Sequence, residues 1–208
     1  DEAVLELLRA IYQALPVGGH LLLAESCREQ AKLDQVWFLP AATPPHKHGR
    51  VLSAASQRAE MLELAIGGHP AFGVSRLEID RGGVSYTVNS LTEIGALHEH
   101  AELFFLMGAD SLFDLPHWRE PRRICELALP LVVHRQGTPK PDVECLRDLV
   151  SAERLAQIRE HFVEMPLIGV SSSDLRHRVA AGRSIRFQTP RAVEVYIETQ
   201  LLYRPEAQ

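Results

Sequence analysis

Short apolar runs alternate along this chain with longer stretches of helical periodicity, and that alternation narrows the choice of fold more than any other feature. "VWFLP" (Val36 to Pro40), "LFFLMG" (Leu103 to Gly108), "LPLVVH" (Leu129 to His134) and "PLIGV" (Pro166 to Val170) are short, apolar and bounded by Gly or Pro, so each is expected to be a buried strand. Helices are expected between them: His20 to Leu33; Ala54 to Ile66, with Met61, Leu62, Ala65 and Ile66 on one face; and Thr87 to Leu97, with Val88, Leu91 and Ile94 at helical spacing. A last helix is expected to start with Thr189 as N-cap and Pro190 at its first position, and to bury Val193, Tyr196, Ile197 and Leu201. The alternation predicts an α/β fold, a doubly wound parallel sheet with helices on both faces. Ligands of such a sheet sit at the carboxyl ends of the strands, where the strand order reverses. "GTPKPDVECLRD" (Gly137 to Asp148) is the expected long loop, leading into a polar helix.

A chain of 208 residues suits one domain, expected over 1–208. The net charge of −5 gives no general attraction to nucleic acid, so local basic residues must do any phosphate binding. Cys27, Cys125 and Cys145 are far apart and form no CxxC pair, which predicts reduced thiols in a cytosolic protein. The acidic start "DEAVLELLRA" does not resemble a signal peptide. No apolar run approaches the roughly 20 residues of a membrane span. The expected compartment is the cytoplasm.

Neither a GxxxxGK[ST] loop nor GxGxxG occurs, which argues against a P-loop phosphotransferase and an ordinary dinucleotide dehydrogenase. "LPVGGHLLLAE" (Leu15 to Glu25) instead sets Gly18, Gly19 and His20 at a helix start. There glycines let the backbone approach a phosphate, and the free N–H groups and positive dipole end attract it. A turn with a surface histidine would read the same. "TPPHKHGR" (Thr43 to Arg50) gathers His46, Lys47, His48 and Arg50 after a strand, as a polyphosphate clamp or as a solvated basic loop. An HxH pair without a nearby Cys or carboxylate cluster makes a poor zinc site, and no metal ligands are assigned.

"GVSSSDLRHR" (Gly169 to Arg178) places Ser171, Ser172 and Ser173 at a helix start with Arg176 one turn on, which suits a phosphate chain or an ordinary serine N-cap. "GADSLFDLPHW" (Gly108 to Trp118) puts Asp110 at a strand end, where it could hold a ribose hydroxyl or tune a neighbouring base. A lone Trp is more often core, but Trp118 lies on a loop between His117 and Arg119, which predicts partial exposure and a ring able to stack on a flat ligand. "GGVSYTVNSL" (Gly82 to Leu91) supplies Tyr86 and Thr87 just before a helix whose backbone N–H groups could receive a carboxylate.

Taken together, "LPAATPPHK", "QRAEMLELAI", "SYTVNSL", "FFLMGADSLFDLPHW", "LPLVVHRQG", "VSSSDLR" and "PRAVEVYIETQLLYR" resemble, in order, the sequence blocks of the bacterial nicotinate-nucleotide adenylyltransferases of the nucleotidylyltransferase superfamily. The resemblance runs from about Gly19 to Arg204. It implies a Rossmann-like fold and transfer of AMP from ATP to nicotinate mononucleotide, giving deamido-NAD and pyrophosphate. It implies that Gly19 and His20, beside Gly18, end the family's HxGH motif on the ATP phosphates, with His46 and Lys47 of the PPHK loop facing them too. Ser171, Ser173 and Arg176 match its ISSTxIR block on the triphosphate and adenine side, in a helical portion of about 171–204 that completes the ATP site. Tyr86 and Thr87 match the segment whose backbone takes the nicotinate carboxylate. Trp118 matches the tryptophan near the pyridine ring and Asp110 the aspartate of a GxD turn. Arg135 stands at the arginine of VxxRPG, with Gln136 in place of proline.

The implied reaction needs no enzyme nucleophile: His20, Lys47 and Arg176 would act by positioning and by stabilising spreading negative charge. Magnesium would come with ATP, held by the nucleotide and waters. A homo-oligomer is compatible with all of this. An acceptor other than nicotinate mononucleotide (nicotinamide mononucleotide or phosphopantetheine) and a nucleotide-binding homologue without catalysis are the alternative readings.

The opening departs from the pattern. Where the family reads IYGGTFDPVHxGHLLLAE, this chain reads "IYQALPVGGHLLLAE" (Ile11 to Glu25): the GG[ST]FD turn and the first histidine are absent, Leu15 stands at the aspartate, and Gly18 either replaces that histidine or closes up after its deletion. Residues could be missing or altered at this loop, activity could be reduced or lost, or a rebuilt turn could work through His20, His46 and Lys47. With His20 alone, a weak enzyme is expected. Val4, Leu8, Ile11 and Leu15 also recur at helical spacing, whereas the family would make "LRAIY" (Leu8 to Tyr12) the first strand, at the centre of the sheet. The strand is the favoured expectation.

Overall fold

The computed structural model describes residues 4–8, 17–43, 53–135, 140–165 and 169–204. Its strands are β1 (Val4–Leu8), β2 (Gln35–Phe38), β3 (Phe72–Val74), β4 (Glu102–Gly108), β5 (Leu129–Arg135) and β6 (Phe162–Met165). They form one sheet in the order β3-β2-β1-β4-β5-β6, every neighbouring pair parallel. The chain winds outward from β1 to β3, returns to the centre, then winds the other way from β4 to β6. The order therefore reverses between β1 and β4, where Leu7 pairs with Phe105. This is the doubly wound arrangement expected from the alternation.

The helices are α1 (Val17–Ala31), α2 (Ala55–Ile66), α3 (Leu77–Arg81), α4 (Thr87–Leu97), α5 (Ala109–Asp114), α6 (Pro121–Leu127), α7 (Ala152–Glu160), α8 (Ser172–Ala180) and α9 (Arg191–Thr199). In β4 the consecutive residues Leu103 to Met107 are all at most 5% exposed. Side chains alternate between the faces of a strand, so an unbroken buried run means that helices cover both faces. The main core runs from Phe38 and Leu39 through Leu91 and Ile94 to Phe105, Leu112, Leu131 and Ile158. A second cluster joins Met61 of α2 to Leu175, Ile185, Val193 and Ile197, docking α8 and α9 on α2. The Tyr196 hydroxyl donates to Glu60 at 2.7 Å across the same contact.

The opening is a strand, not the helix that its periodicity suggests. "VLELL" is apolar at four of five positions, a pattern that suits a strand buried on both faces, and pairing with β2 and β4 satisfies its backbone on both edges. It lies at the centre of the sheet as the family resemblance implies, but comprises Val4–Leu8; Arg9 to Tyr12 fall outside the described residues. Three further expectations need correction. The sixth strand is Phe162–Met165, because "FVEM" meets Val132 to Arg135 in register; Gly169 and Val170 lie outside any strand. The long loop, by contrast, leads into the polar helix α7 as expected, by way of a 3₁₀ turn at Val143–Leu146. Pro190 is the N-cap of α9, and Thr189 has a buried Oγ1 with no partner among the described residues. Leu201 is 62% exposed because the helix ends at Thr199 and Leu201 turns to φ 52°; Leu202 packs inward instead.

Candidate functional site

Phosphates and carboxylates need donors gathered where the sheet leaves backbone open, and this sheet does so at the carboxyl ends of its strands. Four of the motif-bearing segments leave those ends: 39–43 after β2, 108–118 after β4, Arg135 at the end of β5, and 169–176 after β6. Gly18, Gly19 and His20 lie in the first turn of α1, the helix that follows β1, where the sequence placed them. No acidic residue occupies that turn, so no carboxylate of the turn opposes an anion there.

Tyr86 and Thr87 are aimed by a tight turn. Gly82 and Gly83 both take φ 69°, with ψ −177° at Gly82, a combination that a side chain does not adopt without strain. The turn brings the chain back alongside the end of β2: Thr43 bridges Val84, the Ser85 N–H donates to the Thr43 carbonyl at 3.0 Å, and the Ala42 N–H donates to Ser85 Oγ at 3.0 Å. Tyr86 then becomes the N-cap of α4 in an extended conformation, and no side chain caps that helix start among the described residues. Uncapped N–H groups at a helix start suit a carboxylate, as the sequence suggested.

Trp118 is half-buried and meets Phe105 of β4 edge to face, with centroids 5.9 Å apart. Next to it, the Arg119 guanidinium lies 4.8 Å from the Tyr86 ring centroid. An aromatic face, a cation and an uncapped helix start thus adjoin one another, a set suited to a flat ring carrying negative charge. Asp110 is exposed in the first turn of α5, immediately after β4 and so beside the reversal of strand order.

At the other end, Ser171 is the N-cap of α8 and its Oγ accepts from the Asp174 N–H at 3.1 Å, so this serine does the structural job that the sequence also allowed. Ser173 is exposed and takes a hydrogen bond from the Arg176 guanidinium at 3.3 Å. Burial pushes the Tyr203 hydroxyl above its ordinary pKa; a hydrogen bond with Ser53 at 3.1 Å and the nearby charges of Arg176 and Arg58 oppose that rise. The α8 start therefore faces the segment that re-enters α2. His46 and Lys47 lie outside the described residues, as do the side chains of His20 and Arg135. Among the described residues no three His, Cys, Asp or Glu side chains are gathered as metal ligands.

Arg58, Ser85, Arg119 and Tyr203 complete these contacts and were not singled out from the sequence. Arg58 had a readable signal: with Met61, Leu62 and Ala65 it occupies i, i+3, i+4 and i+7 of one helix face, so a cation stands on an apolar stripe. It is 6% exposed.

A cytidylyltransferase-like family model matches residues 16–178. The "probable nicotinate-nucleotide adenylyltransferase" of Thermomicrobium roseum is 47% identical over 186 residues, covering 89% of this chain and 85% of that protein. The protein of the same name from a Roseiflexus species is 44% identical over 190 residues, covering 89% and 91%. Among solved structures, the Plasmodium falciparum nicotinic acid mononucleotide adenylyltransferase complexed with NaAD shares the fold, with a TM-score of 0.68 at 13% identity over 98% of each chain.

Proposed function

The chain belongs to the nicotinate-nucleotide adenylyltransferase family, within the cytidylyltransferase-like proteins, and from that membership and its geometry we propose that it transfers AMP from ATP to nicotinate mononucleotide, a step of NAD biosynthesis. The observation that carries this reading is the adjoining set of Tyr86, the uncapped α4 start, Arg119 and Trp118, tied through Thr43 to the segment that ends β2. A pyridine ring would stack on Trp118 while its carboxylate meets the N–H groups at Tyr86 and Thr87. Asp110 would hold a ribose hydroxyl and Arg135 the acceptor side. ATP would lie across the reversal of strand order, with its phosphates on Gly18, Gly19, His20, His46, Lys47, Ser173 and Arg176, and the 171–204 portion completing that side; Ser171 contributes by holding the start of α8.

In the reaction a phosphate oxygen of the mononucleotide attacks the α-phosphorus of ATP, the bond from that phosphorus to the bridging oxygen breaks, and pyrophosphate leaves. The chain's residues hold the two ends in line and supply positive charge from His20, Lys47 and Arg176 as negative charge spreads in the transition state. Magnesium bound to ATP would supply charge neutralisation at the phosphates, while the donor-and-cation set of this chain suits the phosphate oxygens rather than the metal itself. Because the opening lacks the family's first histidine, turnover should be below that of relatives that keep it. Among the described residues no disulfide joins Cys27, Cys125 and Cys145, which supports a cytosolic setting, and no helix is long and apolar enough to cross a membrane.

Trp118→Ala should raise the KM for nicotinate mononucleotide about tenfold while leaving that for ATP within about threefold. Equal effects on both would remove the stacking role. Arg176→Ala should raise the KM for ATP by about 10- to 100-fold, as expected for a charge-assisted contact to phosphate. Wild-type ATP affinity in that variant would dissociate Arg176 from the triphosphate. The function itself is tested by comparing acceptors: preference for nicotinate mononucleotide over nicotinamide mononucleotide and phosphopantetheine is expected, and preference for either alternative would reassign the acceptor.

A further inference from the structure

We propose that Arg58 is a positioning residue for the acceptor site: its guanidinium fixes the end of β2 against the turn that presents Tyr86 and Thr87. The role as stated rests on the acceptor assignment above. Arg58 Nη2 donates to the Ala41 carbonyl at 2.5 Å and to that of Ala42 at 3.4 Å, and Nε donates to the Ser53 carbonyl at 3.3 Å. One side chain thus holds two stretches of backbone that lie 11 residues apart in sequence, Ala42 and Ser53. The segment it holds is the one that continues, through the Ala42–Ser85 and Ser85–Thr43 hydrogen bonds, into Ser85 and Tyr86. Burial lowers the pKa of Arg58 from its ordinary value, and the nearby Tyr203 and Glu78 work against that shift.

A second set of contacts ties α4 to α3 through Glu78. It is fully buried in α3 and accepts from Ser90 Oγ of α4 at 2.5 Å, while Arg81 donates to the same Oγ at 3.1 Å and pairs with Glu93 at 2.6 Å. The helix that carries Tyr86 and Thr87 at its start is therefore anchored to α3, and its preceding turn is anchored to backbone that Arg58 grips. A planar, multi-donor guanidinium can serve three carbonyls at once; an ammonium on a shorter stem cannot keep that geometry. The interior is close-packed, so a shift at Ala41 and Ala42 is passed to Ser85 rather than absorbed.

The test is Arg58→Lys, with Arg154→Lys as control, because Arg154 also donates to a carbonyl (Cys125, 3.1 Å) but holds α6 rather than the segment after β2. Two readouts are taken: hydrogen–deuterium exchange at the Ser85 amide, and KM for each substrate. Arg58→Lys should speed exchange at Ser85 about tenfold or more while the Leu131 amide in β5 stays unchanged, and should raise KM for nicotinate mononucleotide about tenfold with that for ATP moving less than about threefold. Arg154→Lys should do neither. Unchanged exchange at Ser85 would overturn the positioning role whether or not the protein turns over. Faster exchange at Ser85 and Leu131 alike would also overturn it, since that is general loosening. If Ser85 responds but wild-type protein transfers AMP to no acceptor, the grip on the turn stands and the adenylyltransferase reading is what fails.

Discussion

Replacing His20 with alanine is expected to lower kcat by on the order of 10² to 10³, the loss seen when one charge-stabilising donor is removed from a site of this kind. His20 is in the first turn of α1, the end of a helix where backbone N–H groups have no intrahelical partner and the dipole is positive. A side-chain cation or donor aimed at the leaving oxygens responds to charge as it develops, so its loss should fall on kcat more than on KM. The absence of the family's first histidine sharpens the expectation, since His20 is the one histidine left in that motif. Steady-state pyrophosphate release by the His20→Ala variant is the check. Unchanged kcat would shift the burden to His46 and Lys47.

Phe105→Ala should destabilise the fold by about 3–5 kcal/mol. Phe105 is fully buried in the middle of β4, the strand that pairs with the central β1, and it also supports Trp118 edge to face. Truncation removes the ring's burial and leaves a cavity between the sheet and its covering helices, where neighbours held by parallel pairing on both sides cannot close in. Against a total stability of about 5–15 kcal/mol, a loss of this size leaves little margin. Urea unfolding followed by far-UV circular dichroism would report it as a lower midpoint with the same slope. A loss below about 1 kcal/mol would mean that the site collapses around the gap, contrary to the packing described. A second consequence is that folded variant protein should bind nicotinate mononucleotide more weakly, because Trp118 loses its backing.

Much of this architecture is written in local sequence. β4 and β5 are legible because a parallel strand covered on both faces needs an unbroken apolar run, and "LFFLMG" and "LPLVVH" are such runs. α4 is legible because Val88, Leu91 and Ile94 share one face and all are buried. The opening is harder, because Val4 and Leu8 fit a helical stripe as well as a strand and only pairing with β2 and β4 decides between them. Similarly, "PLIGV" is as apolar as a strand, yet its described residues Gly169 and Val170 lie outside the sheet while Phe162–Met165 pair in register with β5.

The site divides along the same line. Tyr86 and Thr87 at a helix start, Trp118 at partial exposure and Ser171 at an N-cap follow from short-range patterns and are found there. The contacts that assemble those segments do not: Ser53 meets Tyr203 across 150 residues and Ala42 meets Ser85 across 43, separations that no local pattern reports. Arg58 is the exception that could have been read, as the charge on an apolar helix face.

The most direct test of the central assignment is a pyrophosphate-release assay with ATP, magnesium and nicotinate mononucleotide, with mass spectrometry confirming the N-terminal sequence and identifying the second product. Release of pyrophosphate in step with deamido-NAD, at a rate below that of relatives with both motif histidines, is the result expected of an adenylyltransferase working through His20. ATP binding with no pyrophosphate released, whichever acceptor is supplied, would contradict it and mark a chain that keeps the nucleotide fold without its chemistry.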